Sequence, residues 1–334
     1  MERSELPPHK SATYVLSRWK VVYVAVPKAA CTSLKWLIAD LQEENRERFY
    51  TALTREVTRA TTIHRRPQWR RTPMLHRLSD EELAEISPER GWFVFTVIRH
   101  PSSRLWSAWQ SKLLLREPRW VRRFGTEPWF PRIPSRSSDI VEDFQRFVRS
   151  IAENRDQKIM RDRHFLSQSR LVTPEKTPYT RIYETQEIDE LLQDLAAQLR
   201  RYGWDGSLSL DSANETPLRP LASMFSSEVV DAIAAVYGED FERFGYENVV
   251  PEPLEPAEEY GEAALLEIRR LLERAERIGD LVLKAQRLQG QNKAQRQEIR
   301  ELRRELNRVS ARARLDGGLA RKVRRRMSRA LSRA

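Results

Sequence analysis

A chain of 334 residues with 40% hydrophobic content can bury a full core, which excludes a wholly disordered protein. The net charge of +11 is unevenly spread: residues 311–334 hold nine Lys/Arg against one acidic residue, so about +8 of it sits in a tail and the body is only mildly basic. A single cysteine excludes an intramolecular disulfide, no stretch approaches the roughly 20 apolar residues of a membrane span, and the acidic, proline-containing start is unlike a signal peptide, so a cytoplasmic protein is expected.

In chain order, residues 20–26 (KVVYVAV) read as a buried strand and 33–42 as the helix after it. The loop between them, PKAACTS, has the layout of a phosphate-binding loop but contains no glycine. Backbone N–H groups at a helix start make an anion site; Lys28 adds a point charge, and Thr32 and Ser33 add hydroxyls. A nucleotide-hydrolysing loop would read G-x-x-x-x-G-K-[ST]. Here the lysine precedes the hydroxyls, which suits one phosphate carrying a transferable group, with no metal. The plain alternative is an ordinary strand–helix connection with a surface lysine.

An Arg-rich stretch, HRRPQWRRTPMLH, follows, flanked by His64 and His76. Residues 92–99 form a second strand that runs into a helix opened by Pro101. Arg99 at the strand end and Ser107 two turns along that helix can meet on a second phosphate; alternatively, Arg104 and Ser107 are merely exposed helix residues. Residues 116–138 show no periodicity and read as a long functional loop. A third strand at 179–185 feeds a helix at 189–203, and 226–246 form a closing helix. Apolar strands that each feed a helix predict parallel βα units, with a sheet covered on both faces.

The Pro/Glu-rich residues 251–261 form a linker. After it, Ile278, Ala285, Asn292, Ile299, Leu306 and Ala313 recur every seven residues, as do Leu281, Leu288, Gln295, Leu302 and Val309. This a/d seam predicts a coiled coil and a homo-oligomer through 278–313, with Asn292 and Gln295 setting register and Glu298 facing Arg303 of the partner helix. In the tail, Leu319, Val323, Met327 and Leu331 recur every four residues among arginines, as in helices that lie on an anionic membrane surface or acidic polymer. The expected domains are 1–250 (catalytic), 251–261 (linker), 262–314 (coiled coil) and 315–334 (basic tail).

Taken together, VPKAACTSLK resembles the 5′-phosphosulfate loop of sulfotransferases, and VIRHPSSRLWSAW resembles their 3′-phosphate loop. The combination is most similar to the carbohydrate (chondroitin/dermatan-type) sulfotransferases and their bacterial relatives. RHFLSQSRLV, YTRIYET, NETP and YGEDFERFGY match further segments in the same order. The resemblance implies a P-loop-like α/β three-layer sandwich with a central parallel sheet. It also implies transfer of a sulfuryl group from 3′-phosphoadenosine-5′-phosphosulfate (PAPS) to a hydroxyl-bearing acceptor, a glycan or glycoconjugate. Lys28 would stabilise the leaving bridging oxygen. Ala29, Ala30, Cys31, Thr32 and Ser33 would hold the 5′-phosphate, and Arg99 and Ser107 the 3′-phosphate. Two features depart from the pattern: His100 replaces a usual acidic residue, and the membrane anchor and luminal cysteines of the Golgi enzymes have no counterpart.

An acceptor hydroxyl needs a base near neutral pH. His64 is the first choice, with His164, His76 and Glu184 as alternatives; His9 and His100 are set aside, His100 as facing the nucleotide. The arginines at 65, 66, 70, 71, 116, 119, 122 and 123 could line an acidic acceptor's groove, with Trp69, Trp120 and Trp129 stacking on sugar rings. Two other functions remain open: a nucleotide-dependent kinase, which would need glycines and a magnesium-binding aspartate, and an inactive scaffold on an anionic surface.

Overall fold

Four short runs of β-branched and aromatic residues form one sheet in the computed structural model. It describes residues 12–51, 58–155, 157–210, 217–250 and 253–331, without the side chains of 309–316, 319–320, 323–324 and 326–331. The strands β1 (Thr13–Leu16), β2 (Val21–Val24), β3 (Phe93–Ile98) and β4 (Arg181–Glu184) lie in that spatial order. The helices are α1 (Cys31–Leu41), α2 (Arg46–Thr51), α3 (Asp80–Ala84), α4 (Pro101–Trp109), α5 (Pro118–Phe124), α6 (Ser137–Glu153), α7 (Gln168–Val172), α8 (Ile188–Arg200), α9 (Ser227–Phe244) and α10 (Glu262–Leu331).

β2, β3 and β4 are parallel neighbours, whereas β1 runs antiparallel to β2. The sheet is therefore mixed, not wholly parallel as expected. The connection explains this: one 3-10 turn, Ser17–Trp19, closes on Lys20 at φ 49°, far too short for a parallel crossover. Strand side chains alternate between faces. Tyr14, Val21, Tyr23, Phe93 and Phe95 pack with Leu34 and Ile38 of α1 and Leu191, Leu195 and Leu199 of α8. Val15, Val22 and Val94 pack on the other face against Leu75, Leu78, Leu83 and Ile86.

A second core is helical. Trp106 and Trp109 of α4, Phe144 and Phe147 of α6, and Val229, Ile233 and Tyr237 of α9 are buried in it together. α6 was not foreseen. Residues 116–138 are also less irregular than expected: Pro118 opens α5, and Trp120, Phe124, Trp129 and Phe130 are buried in the helical core. The prolines punctuate this stretch, and burial of its aromatic rings orders it.

The chain divides into two compact units, one ending at Gly279 and one beginning at Asp280. In the first, Tyr260 donates its N–H to Ser137 Oγ (2.9 Å) and its hydroxyl to the Arg219 carbonyl (2.6 Å), and Ile268, Leu272 and Ala275 of α10 are buried in the helical core. The body thus continues through the expected 251–261 linker, because Tyr260 and this apolar stripe hold the first turns of α10 against it. The second unit is helical to Leu331. Leu281, Leu288, Ile299, Leu302 and Leu306 are about half exposed there. The side chains of Val309, Ala313, Leu319, Val323, Met327 and Leu331, like His9 and most of the NETP segment, lie outside what is described. No helix among the described residues is long and apolar enough to cross a membrane.

Candidate active site

The two loops meet because their strands are neighbours. Val24 of β2 pairs with Thr96 of β3 in parallel register, so the chain leaves both strands at the same sheet edge. In open α/β sheets such carboxyl ends form the ligand crevice. Arg99 Nη1 reaches the Lys28 carbonyl at 3.5 Å across this edge.

In the first loop Lys28 has φ 72° and Ala30, the N-cap of α1, has φ 52°. These are left-handed conformations that glycine adopts freely and other residues adopt at a cost of about 1–2 kcal/mol each. The tight turn is thus made without glycines, and neighbouring contacts hold it. Ala29 is fully buried, and Arg104 Nε donates to the Pro27 carbonyl at 3.1 Å. Arg104 is itself buried and donates to the Leu166 and Arg163 carbonyls at 2.9 Å each. It is a brace, which excludes the reading of Arg104 as an exposed helix residue. The first amides of α1, from Cys31 on, stand at the helix start, where backbone N–H groups can receive an anion.

Arg99 is fixed through its backbone. Its N–H donates to Gln168 Oε1 (2.9 Å), and Gln168 Nε2 donates to its carbonyl (2.8 Å). Gln168 is held in turn by Asp240, which accepts from the Gln168 and Ser169 amides (2.8 and 2.7 Å) and from Ser169 Oγ (2.7 Å). The Arg99 guanidinium has no carboxylate partner among the described residues, and burial lowers its pKa. A partly buried cation without a carboxylate partner can receive an anion.

α4 ends in a π-turn, Gln110–Leu114, in which the Leu115 amide donates to the Gln110 carbonyl (2.9 Å). Such turns recur at functional sites. This one presents Ser111, whose Oγ accepts from Lys28 Nζ at 3.0 Å, and Lys112, which pairs with Glu117. Burial and the nearby Lys112 charge lower the Lys28 pKa to about 7.

Two histidines border the same space. His64 Nδ1 lies 2.9 Å from Lys35 Nζ and its Nε2 3.2 Å from Thr32 Oγ1. Burial and the Lys35 charge push its pKa well below the usual histidine value. His164 Nδ1 lies 2.8 Å from Asp162 Oδ1, and its ring meets Trp120 edge-on. Burial and Lys112 lower its pKa to about 4.

Lys28, Lys35, His64, Arg99, Lys112 and His164 open on one cavity of about 1310 Å³. That exceeds the roughly 300–1,000 Å³ of a small-molecule pocket and leaves room for a nucleotide and an acceptor together. Its lining carries nine Lys/Arg against three acidic residues, and two of those acids, Glu117 and Asp162, already have cationic or histidine partners. The sequence model of the sulfotransferase family matches residues 12–247. The chain belongs to the sulfotransferase family. No curated protein and no solved structure matches it. The membership makes it a transferase, and the α/β sheet with its strand–loop–helix turn after β2 fits the P-loop-like fold of such enzymes.

Of the residues expected at the sulfotransferase site, Lys28, Ala30, Cys31, Thr32, Ser33, Arg99, Ser107, His64 and His164 line the cavity together. Ala29 lies behind it in the core. His76 is exposed on a separate 3-10 turn, and Glu184 does not line the cavity; burial and Glu187 raise the Glu184 pKa. His100 turns away, with Nε2 on the Glu247 carbonyl at 3.1 Å and its ring against Phe241 and Tyr246. Trp69 and Trp129 are core residues with no face to offer a sugar; Trp120, though buried, borders the cavity. Sequence reasoning missed Lys35, Ser111, Lys112, Glu117 and Asp162. Ser111 and Lys112 lie in the π-turn, and no residue pattern announced them.

Proposed function

We propose that this sulfotransferase moves the sulfuryl group of PAPS to a hydroxyl of a carbohydrate or glycan-like acceptor by in-line displacement. The observation that carries this reading is the pair of anion sites at adjacent strand ends, the Lys28–α1 loop and Arg99, in one cation-rich cavity. A donor with phosphates at both its 5′ and 3′ positions matches two such sites. The first-turn amides of α1, with the Thr32 and Ser33 hydroxyls, hold the 5′-phosphate; Arg99 and Ser107 hold the 3′-phosphate. PAPS supplies an activated sulfur with a good leaving group. Lys28, protonated once an anion lies beside it, stabilises the negative charge that builds on the leaving oxygen. Cavity arginines such as Arg66, Arg161 and Arg219 favour an acceptor that bears acidic groups.

The proposed assembly is a homo-oligomer through the 278–313 heptads, of which Leu281, Leu288, Ile299, Leu302 and Leu306 are exposed. The basic tail is proposed to rest on an anionic membrane surface or acidic polymer. The proposed setting is the cytoplasm, which suits a chain whose one cysteine, Cys31, is a free thiol at the site.

Ligand-induced thermal stabilisation tests the donor assignment. Adenosine 3′,5′-bisphosphate at 100 times its Kd should stabilise the protein by about 2.7 kcal/mol, with little effect of ATP. Stabilisation by ATP and magnesium alone would instead point to a kinase.

A further inference from the structure

We infer that His164, oriented by Asp162, is the group that accepts the proton of the acceptor hydroxyl, and that His64 braces the phosphosulfate loop. This inference rests on the sulfuryl-transfer reading and names the base of that same site.

The hydrogen-bond partners settle which ring nitrogen carries the proton in each histidine. Lys35 is an ammonium and can only donate, so His64 Nδ1 accepts from it at 2.9 Å. The proton of neutral His64 is then on Nε2, which donates to Thr32 Oγ1 at 3.2 Å. Both nitrogens are committed, and the lone pair is held by a cation. Taking up a second proton would set an imidazolium against Lys35.

His164 has the opposite arrangement. The Asp162 carboxylate can only accept, so His164 Nδ1 donates to Oδ1 at 2.8 Å. The lone pair is left on Nε2, for which no hydrogen-bond partner exists among the described residues. Asp162 is fixed as well, accepting the His164 amide at 3.1 Å and facing Arg119 at 3.6 Å. Burial opposes its charge, but these hydrogen bonds and Arg119 keep its pKa at about 2, so it stays ionised. The other charged groups felt by His164 are Lys112 and Glu117, with His64 close enough for the two rings to oppose each other's charging. An aspartate that fixes the tautomer and steadies the imidazolium is the arrangement by which histidine bases work.

The step balances. The acceptor O–H bond breaks and its proton goes to His164 Nε2, while the oxygen's electron pair forms the new O–S bond. The bond from sulfur to the bridging oxygen breaks, and its pair stays on the nucleotide phosphate beside Lys28. The imidazolium later returns one proton to solvent.

The test combines a spectroscopic and a kinetic readout on the full chain. Long-range ¹H–¹⁵N NMR should show His164 protonated at Nδ1 and His64 at Nε2; the reverse pattern overturns the inference without needing an acceptor. With labelled PAPS and chondroitin as the acceptor probe, His164→Asn should lower kcat by about 10²-fold or more, with KM for PAPS within about threefold. It should also abolish the acid limb of the kcat/KM profile. Asp162→Asn should lower kcat about tenfold or more and leave adenosine 3′,5′-bisphosphate binding intact. His64→Asn should raise KM for PAPS and keep the acid limb. A His164→Asn enzyme with wild-type kcat, or loss of the acid limb in His64→Asn instead, refutes the assignment. A wild-type chain that neither binds adenosine 3′,5′-bisphosphate nor consumes PAPS refutes the sulfuryl-transfer reading itself.

Discussion

Lys28 Nζ donates to Ser111 Oγ at 3.0 Å, joining the first anion loop to the π-turn 83 residues along the chain. The lysine is held there by a hydroxyl in place of a carboxylate, and burial with Lys112 has drawn its pKa to about 7. Burial thus favours the uncharged form of the ligand-free lysine. An anion bound at the loop restores that charge. Binding of adenosine 3′,5′-bisphosphate at pH 7.5 should accordingly take up a fraction of a proton, measured by calorimetry in buffers of different ionisation enthalpy. Lys28→Ala should remove most of that uptake, and Ser111→Ala should weaken binding by about tenfold or more, the worth of a hydrogen bond to a charged group.

Asp240 tests the support behind Arg99. It is fully buried and accepts three hydrogen bonds that place Gln168 under Arg99. Asp240→Ala leaves the Gln168 and Ser169 amides without their acceptor, while the Ser169 hydroxyl keeps the Glu239 carbonyl, and should lower stability by about 2–4 kcal/mol in denaturant melts. Gln168→Ala should be milder on stability, with a clear loss of affinity for the 3′-phosphate, seen as a smaller preference for adenosine 3′,5′-bisphosphate over adenosine 5′-phosphate.

Acid should destabilise the body through its buried histidines. Unfolded histidine takes up a proton near pH 6.5, but folded His164 does so only at about 4, because burial and Lys112 oppose the charge. The unfolded chain therefore binds more protons between those values. Stability should be level above about pH 6.5 and fall as pH drops towards 4, with His64 adding in the same direction. Denaturant midpoints across this range check it, and His164→Asn should flatten part of the slope.

Much of the site was legible because its groups follow strands directly. A buried apolar strand that ends in Pro27-Lys28, and another that ends in Arg99, announce both the parallel pair and the crevice at its end. The remainder depends on distance in sequence. Ser111 and Lys112 enter through a π-turn that has no residue pattern of its own, and Asp162 gains meaning only when His164 and Arg119 face it. β1 was missed because four residues ahead of a turn carry no period, although the sheet buries all four. Of the arginines and tryptophans of residues 64–76 and 116–138, Arg66, Arg119 and Trp120 border the cavity and Trp69 and Trp129 do not, because composition does not say which side chain faces inward. Glu44 illustrates this, because its buried carboxylate accepts the Arg70, Arg71 and Thr72 amides and folds that stretch around itself.

Self-association through the heptads makes a separate prediction. Light scattering should give a mass above that of one chain for the wild type, and Leu288→Glu with Leu302→Glu should return the monomer. PAPS turnover per chain should change less than about twofold, since those residues lie outside the cavity lining. A monomeric wild type contradicts the proposed assembly and leaves the site untouched.

The most direct measurement of the central claim is transfer of labelled sulfate from PAPS across a panel of glycan and small hydroxyl acceptors, with Lys28→Ala beside the wild type. The account predicts transfer by the wild type and a loss of about 10²–10³-fold in Lys28→Ala, the scale of removing one preorganised stabiliser of transition-state charge. Undiminished transfer by Lys28→Ala would contradict it.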